Sequence, residues 1–165
     1  MEQQFARKQA ERLVYTYADM ILRLSYTYLK STHDAEDICQ TVFLKYLTNA
    51  PEFEGPEHEK AWILRTAVNA CKDILRSAWR TRTCDMEACA EIAAPDMTED
   101  ILLSVVQKLP DKYRLPIYLY YYEGYQIREI AEILGERTAT INTRLDRGRK
   151  RLKQMLGGNY CEQGI

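Results

Sequence analysis

Apolar residues in this chain recur every three or four positions, and nowhere do they alternate with polar ones in the two-residue rhythm of a strand. Leu13, Tyr17, Met20, Leu24 and Tyr28 form the first such series. A period near 3.6 gathers side chains on one face of a helix, whereas a half-buried strand needs a period of two. Glycine and proline, which interrupt helices, number only 7 and 5 among 165 residues, so long helices can run unbroken. The pattern predicts an all-α chain.

Its punctuation divides the chain into two small helical domains. The first domain, 1–80, carries helices over about 5–29, from the capping turn at Ser31-Thr32-His33-Asp34 to about Asn49, and from about Glu59 to Arg80. Asp34, Glu36 and Asp37 lie in the first turn of the second helix, where the helix dipole favours acids. Two prolines and a glycine make Ala50 to Pro56 a loop. Residues 81–98 are acidic, lack amphipathic period and contain Pro95, so they read as a flexible acidic linker. The second domain, 99–157, carries helices at 99–108, 111–122 with Pro116 near its start, 126–134 and 138–156; a tail, 158–165, follows Gly157.

Composition excludes several classes of function. Hydrophobic residues at 46% and charged residues at 28% suit a soluble globular protein rather than a disordered one. No apolar run approaches the ~20 residues of a membrane span, and Met1-Glu2-Gln3-Gln4 lacks the basic-then-apolar pattern expected of a signal peptide. A cytoplasmic protein without membrane insertion is expected. The cysteines, an odd 5 in number, are expected to be reduced. Cys84 and Cys89 are five apart and distant from His33 and His58, so no zinc or other metal site is expected. No His/Cys/Asp cluster, Gly-rich phosphate loop or nucleophile motif is present, which predicts neither catalysis nor a cofactor.

Charge is balanced overall, 23 basic against 24 acidic residues, yet it is segregated. Residues 61–82 carry five basic side chains against one acidic, 83–100 six acidic and none basic, and 136–153 seven basic against two acidic. Two basic blocks point to two nucleic-acid-facing elements. In the first block, Leu64, Ala67, Val68, Cys71, Ile74, Leu75 and Ala78 share one side of a helix. Trp62, Arg65, Asn69, Lys72, Asp73, Arg76 and Arg80 share the other. That polar stripe fits a solvated surface equally with a surface for unpaired DNA, which needs an aromatic plane, an amide and cations. Trp62 is the residue a bland surface would not require.

The second block has the spacing of a helix-turn-helix. Gln126 to Leu134 forms one helix in which Ala131 permits a close crossing; Gly135 makes the turn. Ile141, Leu145, Gly148, Leu152 and Met155 then form the apolar stripe of the next helix. Opposite lie Thr143, Asp146, Arg147 and Lys150, with Asn142 at the edge, a face suited to the major groove.

Three segments resemble the sigma-70 family of RNA polymerase sigma factors, in its short extracytoplasmic-function form. Asp34 to Lys45 resembles the polymerase-binding segment of region two, and Ala61 to Arg76 its promoter-melting segment. Leu109-Pro110 through Leu152 resembles region four, including Thr140 and Arg144 of a Thr-x-x-x-Arg element. The resemblance implies that Asp34, Asp37, Gln40 and Lys45 bind core polymerase, with Phe43 left to core packing. It implies that Phe53, Trp62, Arg65, Asn69, Lys72, Arg76 and Arg80 contact the minus-ten element as duplex and melted non-template strand. Arg137, Thr138, Thr140, Asn142, Thr143, Arg144, Asp146, Arg147 and Lys150 would meet the minus-thirty-five element. An inhibitory anti-sigma factor is implied as a further partner. Ala139 departs from the family's usual glycine, Asn142 from its usual basic residue, and Asp146 puts an acid on the DNA face. The rival is a free-standing helix-turn-helix regulator, which leaves the Asp34–Lys45 helix and the Trp62 stripe without a purpose.

Overall fold

The computed structural model describes residues 1–81 and 101–157, with side chains for 1–77 and 104–157. Among the described residues there are helices and no strands: α1 (Glu2–Leu29), α2 (Thr32–Asn49), α3 (Pro56–Thr81), α4 (Ile101–Val106), α5 (Asp111–Tyr121), α6 (Ile127–Leu134) and α7 (Thr138–Met155). Helices α1–α3 form one compact unit and α4–α7 another. Most of the expected linker, and the tail at 158–165, lie outside the described residues, and α3 continues one residue into the range expected for the linker.

In the N-terminal unit the three helices turn their apolar stripes inward. Leu13, Ile21 and Leu24 of α1 are buried with Ile38 and Val42 of α2 and Ile63, Leu64 and Val68 of α3. Each such side chain contributes roughly 1.5–3 kcal/mol on leaving water. The Ser31 hydroxyl caps α2 by accepting from the Asp34 N–H at 3.2 Å. Two boundaries differ from the sequence reading. The first helix starts at Glu2 rather than near Phe5, and Pro56 opens α3 instead of belonging to the loop. Proline is harmless there, because the first-turn N–H groups have no helical partner; the Gly55 carbonyl meanwhile accepts from the Glu59 N–H at 3.1 Å.

In the C-terminal unit α5 packs on α7 at a glycine. A Cβ at Gly148 would lie 2.9 Å from Cγ1 of Ile117, so a side chain here would push the helices apart. Tyr113, Ile117, Ile130, Leu134, Ile141, Leu145 and Leu152 fill the core around that crossing. Met155, expected to extend the stripe, is 44% exposed instead, at the last residue of α7. The expected 99–108 helix is observed as Ile101–Val106. Lys108 and Leu109 donate to the carbonyls three residues back, at 3.0 Å each, tightening the chain ahead of Pro110. Pro116 sits inside α5 rather than near its start. Arg114, buried, donates to the Asp111 carboxylate and ties α5 back to the Gln107 carbonyl at 3.4 Å.

Candidate nucleic-acid interface

The loop between α2 and α3 folds Phe53 back onto the helices. Its ring stacks on Tyr46 of α2 with centroids 5.7 Å apart and meets Trp62 of α3 edge-on at 5.9 Å. His58 closes the other side, 5.4 Å from Phe53. Phe53 and Trp62 are both half-buried, so the sequence stripe's unexplained tryptophan is one wall of an aromatic cluster at the surface. Further along the same side of α3, Arg65, Asn69 and Arg76 are exposed and Lys72 is half-buried; the Arg76 guanidinium lies 3.8 Å from Asp73. The Arg80 side chain falls outside the described residues. Aromatic planes beside an amide and cations form a surface on which an unstacked base can rest while its phosphates are neutralised.

Beneath the cluster lies a polar knot that sequence reasoning missed. Glu59, only 7% exposed, accepts from both arms of Arg12 at 2.7 and 3.2 Å and from the Tyr17 hydroxyl at 2.6 Å. The Tyr46 hydroxyl donates to the same carboxylate. The Arg12 hydrogen bonds, reinforced by the two tyrosines, hold the Glu59 carboxyl down to about 2 despite its burial. Burial, followed by the bond to Glu59, pushes the phenols of Tyr17 and Tyr46 up. One carboxylate thus joins α1, α2 and α3, and through Tyr46 it fixes a wall of the aromatic cluster. The available sequence signal was an acid four residues before Ile63, on the apolar side of α3.

Helix α2 turns Ala35, Ile38, Val42 and Tyr46 inward. Its outer face carries Asp37 and Gln40, both exposed, and continues through Leu44 and Leu47, which are 64% and 45% exposed. These two leucines extend the expected polymerase surface and were not singled out in the sequence. Phe43 is half-buried, as is Asp34 in the first turn; Lys45 is exposed but lies about a quarter-turn from the stripe.

The helix-turn-helix forms as its spacing requires. Gly135 ends α6 in the left-handed region, φ 66°, and the next N–H, Glu136, reaches the Ala131 carbonyl at 2.9 Å. At the other end the Glu129 carboxylate accepts from the Gln126 N–H at 2.8 Å. Along α7, Arg137, Thr138, Asn142, Thr143, Asp146, Arg147 and Lys150 are exposed, while Thr140 and Arg144 are half-buried. Four of these have internal partners. Arg144 reaches Glu136 across the turn at 3.3 Å, and Lys150 pairs with Asp146 at 3.1 Å, offsetting that acid's charge. The Thr143 hydroxyl donates to the Ala139 carbonyl at 3.0 Å, leaving its lone pairs and methyl group for a base edge. Arg149 belongs to the fold: its Nε donates to the Tyr121 hydroxyl at 2.7 Å.

Known families match both units. Residues 13–81 match the sigma-70 region 2 model, and residues 99–152 the sigma-70 region 4 model. The chain is 32% identical to the ECF RNA polymerase sigma factor SigW of Bacillus subtilis, covering 87% of each chain. It is 34% identical to the RNA polymerase sigma factor SigV of the same organism, over 81% of this chain and 82% of that one. In fold it is similar to the sigma factor RpoE from Bartonella quintana, solved in complex with the anti-sigma factor NepR. The TM-score is 0.74 at 22% identity, over 92% of this chain and 99% of that one. An aromatic cluster on a basic helix, a helix-turn-helix and both family matches lie in the same order along one chain, which belongs to the sigma-70 family of RNA polymerase sigma factors, in its extracytoplasmic-function group.

Proposed function

We propose that this sigma factor directs core polymerase to its promoters through two contacts of different kinds, and that an anti-sigma factor holds it inactive between signals. The outer face of α7 enters the major groove of the minus-thirty-five element, where Asn142, Thr143, Asp146 and Arg147 reach base edges and Arg137, Thr138, Thr140, Arg144 and Lys150 border them. The N-terminal unit receives an unstacked base of the non-template strand against the outer surface of the Phe53–Trp62 cluster, with Asn69 and Arg65 beside it and Lys72, Arg76 and Arg80 following the phosphates. Because that contact forms only when the duplex opens, its binding energy favours the open complex. Asp37, Gln40, Leu44 and Leu47, flanked by Asp34 and Lys45, dock on the polymerase clamp.

The observation that carries this reading is the Tyr46–Phe53–Trp62 cluster on the unit opposite in sequence to the helix-turn-helix. A regulator that reads duplex alone has no use for it. The action is non-enzymatic and cytoplasmic, and the working division of the chain is 1–80, a linker at 81–98, 99–157 and a tail at 158–165. The inhibitor is supported by the fold likeness to a sigma factor captured with its anti-sigma partner. The test is run-off transcription with purified core polymerase on genomic fragments. Discrete transcripts that depend on this protein are expected; their absence across the genome would reject the reading.

A further inference from the structure

Beside α7, on the side of α5, lies a cleft of about 340 Å³. Lys112 and Tyr113 line one wall; Thr140, Thr143, Arg144 and Arg147 line the other. Tyr113 is only 4% exposed, and its backbone is drawn under α7 by the glycine crossing, with its Cβ 3.4 Å from where a Cβ of residue 148 would stand. Cations surround its ring. The Lys112 ammonium is 5.0 Å from the ring centroid and the Arg151 guanidinium 5.5 Å, and Arg147 lines the cleft beside them.

The acids on and beside these elements are each paired with a cation. Asp111, the sole acid of α5, pairs with Arg114; Asp146, the sole acid of α7, pairs with Lys150; Glu136 pairs with Arg144. Positive charge is therefore concentrated over Tyr113. Burial alone would raise this phenol, yet Lys112, Arg147 and Arg151 outweigh it and hold the group below its ordinary value. A field that favours charge on a phenol favours an oxyanion that is already ionised still more.

We propose that Lys112 and Tyr113, with Arg144 across the cleft and Arg151 over the Tyr113 ring, form a binding site for one backbone phosphate of duplex DNA. This rests on the placement of α7 in the major groove, since the flanks of a groove-bound helix face the two phosphate backbones. The footprint of the C-terminal unit then extends past the helix-turn-helix onto the first turn of α5. The site sets the register of α7 on the duplex and carries no sequence information.

The test titrates the full-length protein with core polymerase against a promoter duplex and a duplex with a scrambled upstream element, over a salt series. Lys112 is exposed, so Lys112→Glu keeps its helical content. It is expected to weaken both duplexes alike, by about tenfold, and to make the dependence of log K on log salt shallower by about one. Lys112→Arg restores both, and Tyr113→Phe loses less, about two- to threefold. Methylphosphonates placed singly along the upstream element locate the ligand: at one phosphate, wild-type affinity falls and Lys112→Glu adds no further loss. Unchanged affinity and salt slope in Lys112→Glu would overturn the site, as would a loss confined to the specific sequence. If wild type with core polymerase fails to distinguish the two duplexes, the promoter reading itself falls, whatever the variants do.

Discussion

The Tyr46 hydroxyl donates to the carboxylate of Glu59 while the other end of Tyr46, its ring, stacks against the loop residue Phe53. The knot that holds three helices together therefore also positions the aromatic cluster. Glu59→Gln removes the charge that both arms of Arg12 and two phenols address. It is expected to destabilise the protein by about 1–3 kcal/mol, a typical cost of breaking charge-assisted bonds at a largely buried site. Arg12 and the two phenols hold the folded carboxyl down to about 2, against ~4.3 in the unfolded chain, so its stabilising contribution is complete above that unfolded value and is lost as pH falls toward 2. Acid unfolding of wild type and variant should converge over that interval and differ by a constant amount at neutral pH; a neutral-pH difference near zero would exclude the structural role.

Trp62→Ala and Asn69→Ala are expected to impair promoter opening more than recruitment. Trp62 is a wall of the aromatic cluster, 5.9 Å from both Tyr46 and Phe53, and Asn69 is exposed further along the same side of α3. Base stacking on an aromatic is worth roughly 1–3 kcal/mol, so open-complex occupancy should fall about tenfold or more. Permanganate reactivity of thymines in the melted region reads this directly. Unchanged reactivity with reduced polymerase occupancy would move both residues to recruitment.

How much of this was legible in sequence depended on the range of the interactions. The helix-turn-helix was readable because its determinants are local: Ala131, Gly135 and the Ile141–Leu145–Leu152 stripe lie within 22 residues of one another. Glu59 was not, because Arg12 and Tyr46 stand 47 and 13 residues away and only packing brings them together. Helical periodicity placed Trp62 on a polar face, and it lacked the information that the Phe53 loop would fold over it. Leu44 and Leu47 were passed over because an apolar residue beside an apolar stripe reads as core until the neighbouring helices are placed. The cleft at Lys112 depends on how closely α5 approaches α7, which Gly148 decides and no pattern within either helix announces.

Leu44→Glu tests the outer face of α2. The residue is 64% exposed, so the charge costs the fold little, while Ile38 and Val42 remain buried behind it. If this face docks on polymerase, an acid in its apolar part should weaken core binding by about 2 kcal/mol or more, as truncating an interface anchor does. Competition with a labelled wild-type protein for core enzyme measures it. Equal competition at unchanged thermal stability would place the docking surface elsewhere.

Gly148→Leu tests the α5–α7 crossing. A Cβ alone would approach Cγ1 of Ile117 to 2.9 Å, and the further atoms of leucine have no space between the helices. Overpacking of this kind costs typically 1–3 kcal/mol, against the ~1 kcal/mol that replacing a helical glycine returns. Net destabilisation confined to the C-terminal unit is expected. Hydrogen exchange resolves it: faster exchange in α5–α7 with α1–α3 unchanged supports the crossing, and slower exchange in α7 would contradict it.

The isolated protein should bind promoter duplex poorly and gain specificity only with core polymerase. Its 23 basic residues meet 24 acidic ones, and six of the acids, with no basic residue among them, lie at 83–100 between the two basic blocks. Long-range attraction to DNA is therefore weak, and the acidic residues add repulsion. The C-terminal unit offers a single recognition helix, whereas helix-turn-helix proteins that bind tightly alone generally present two at a fixed spacing. The contact proposed for the N-terminal unit requires an unpaired base, which closed duplex does not supply. Polymerase provides both missing conditions: it holds the two units on the same DNA, so that two weak contacts act as one, and it stabilises the opened strand. Anisotropy titrations at physiological salt, with and without core enzyme, separate the cases, because at low salt nonspecific phosphate contacts alone would give apparent affinity. Tight, sequence-specific binding by the protein alone, unchanged by core enzyme, would overturn the dependence on polymerase and leave the aromatic cluster of α2 and α3 without a role in DNA recognition.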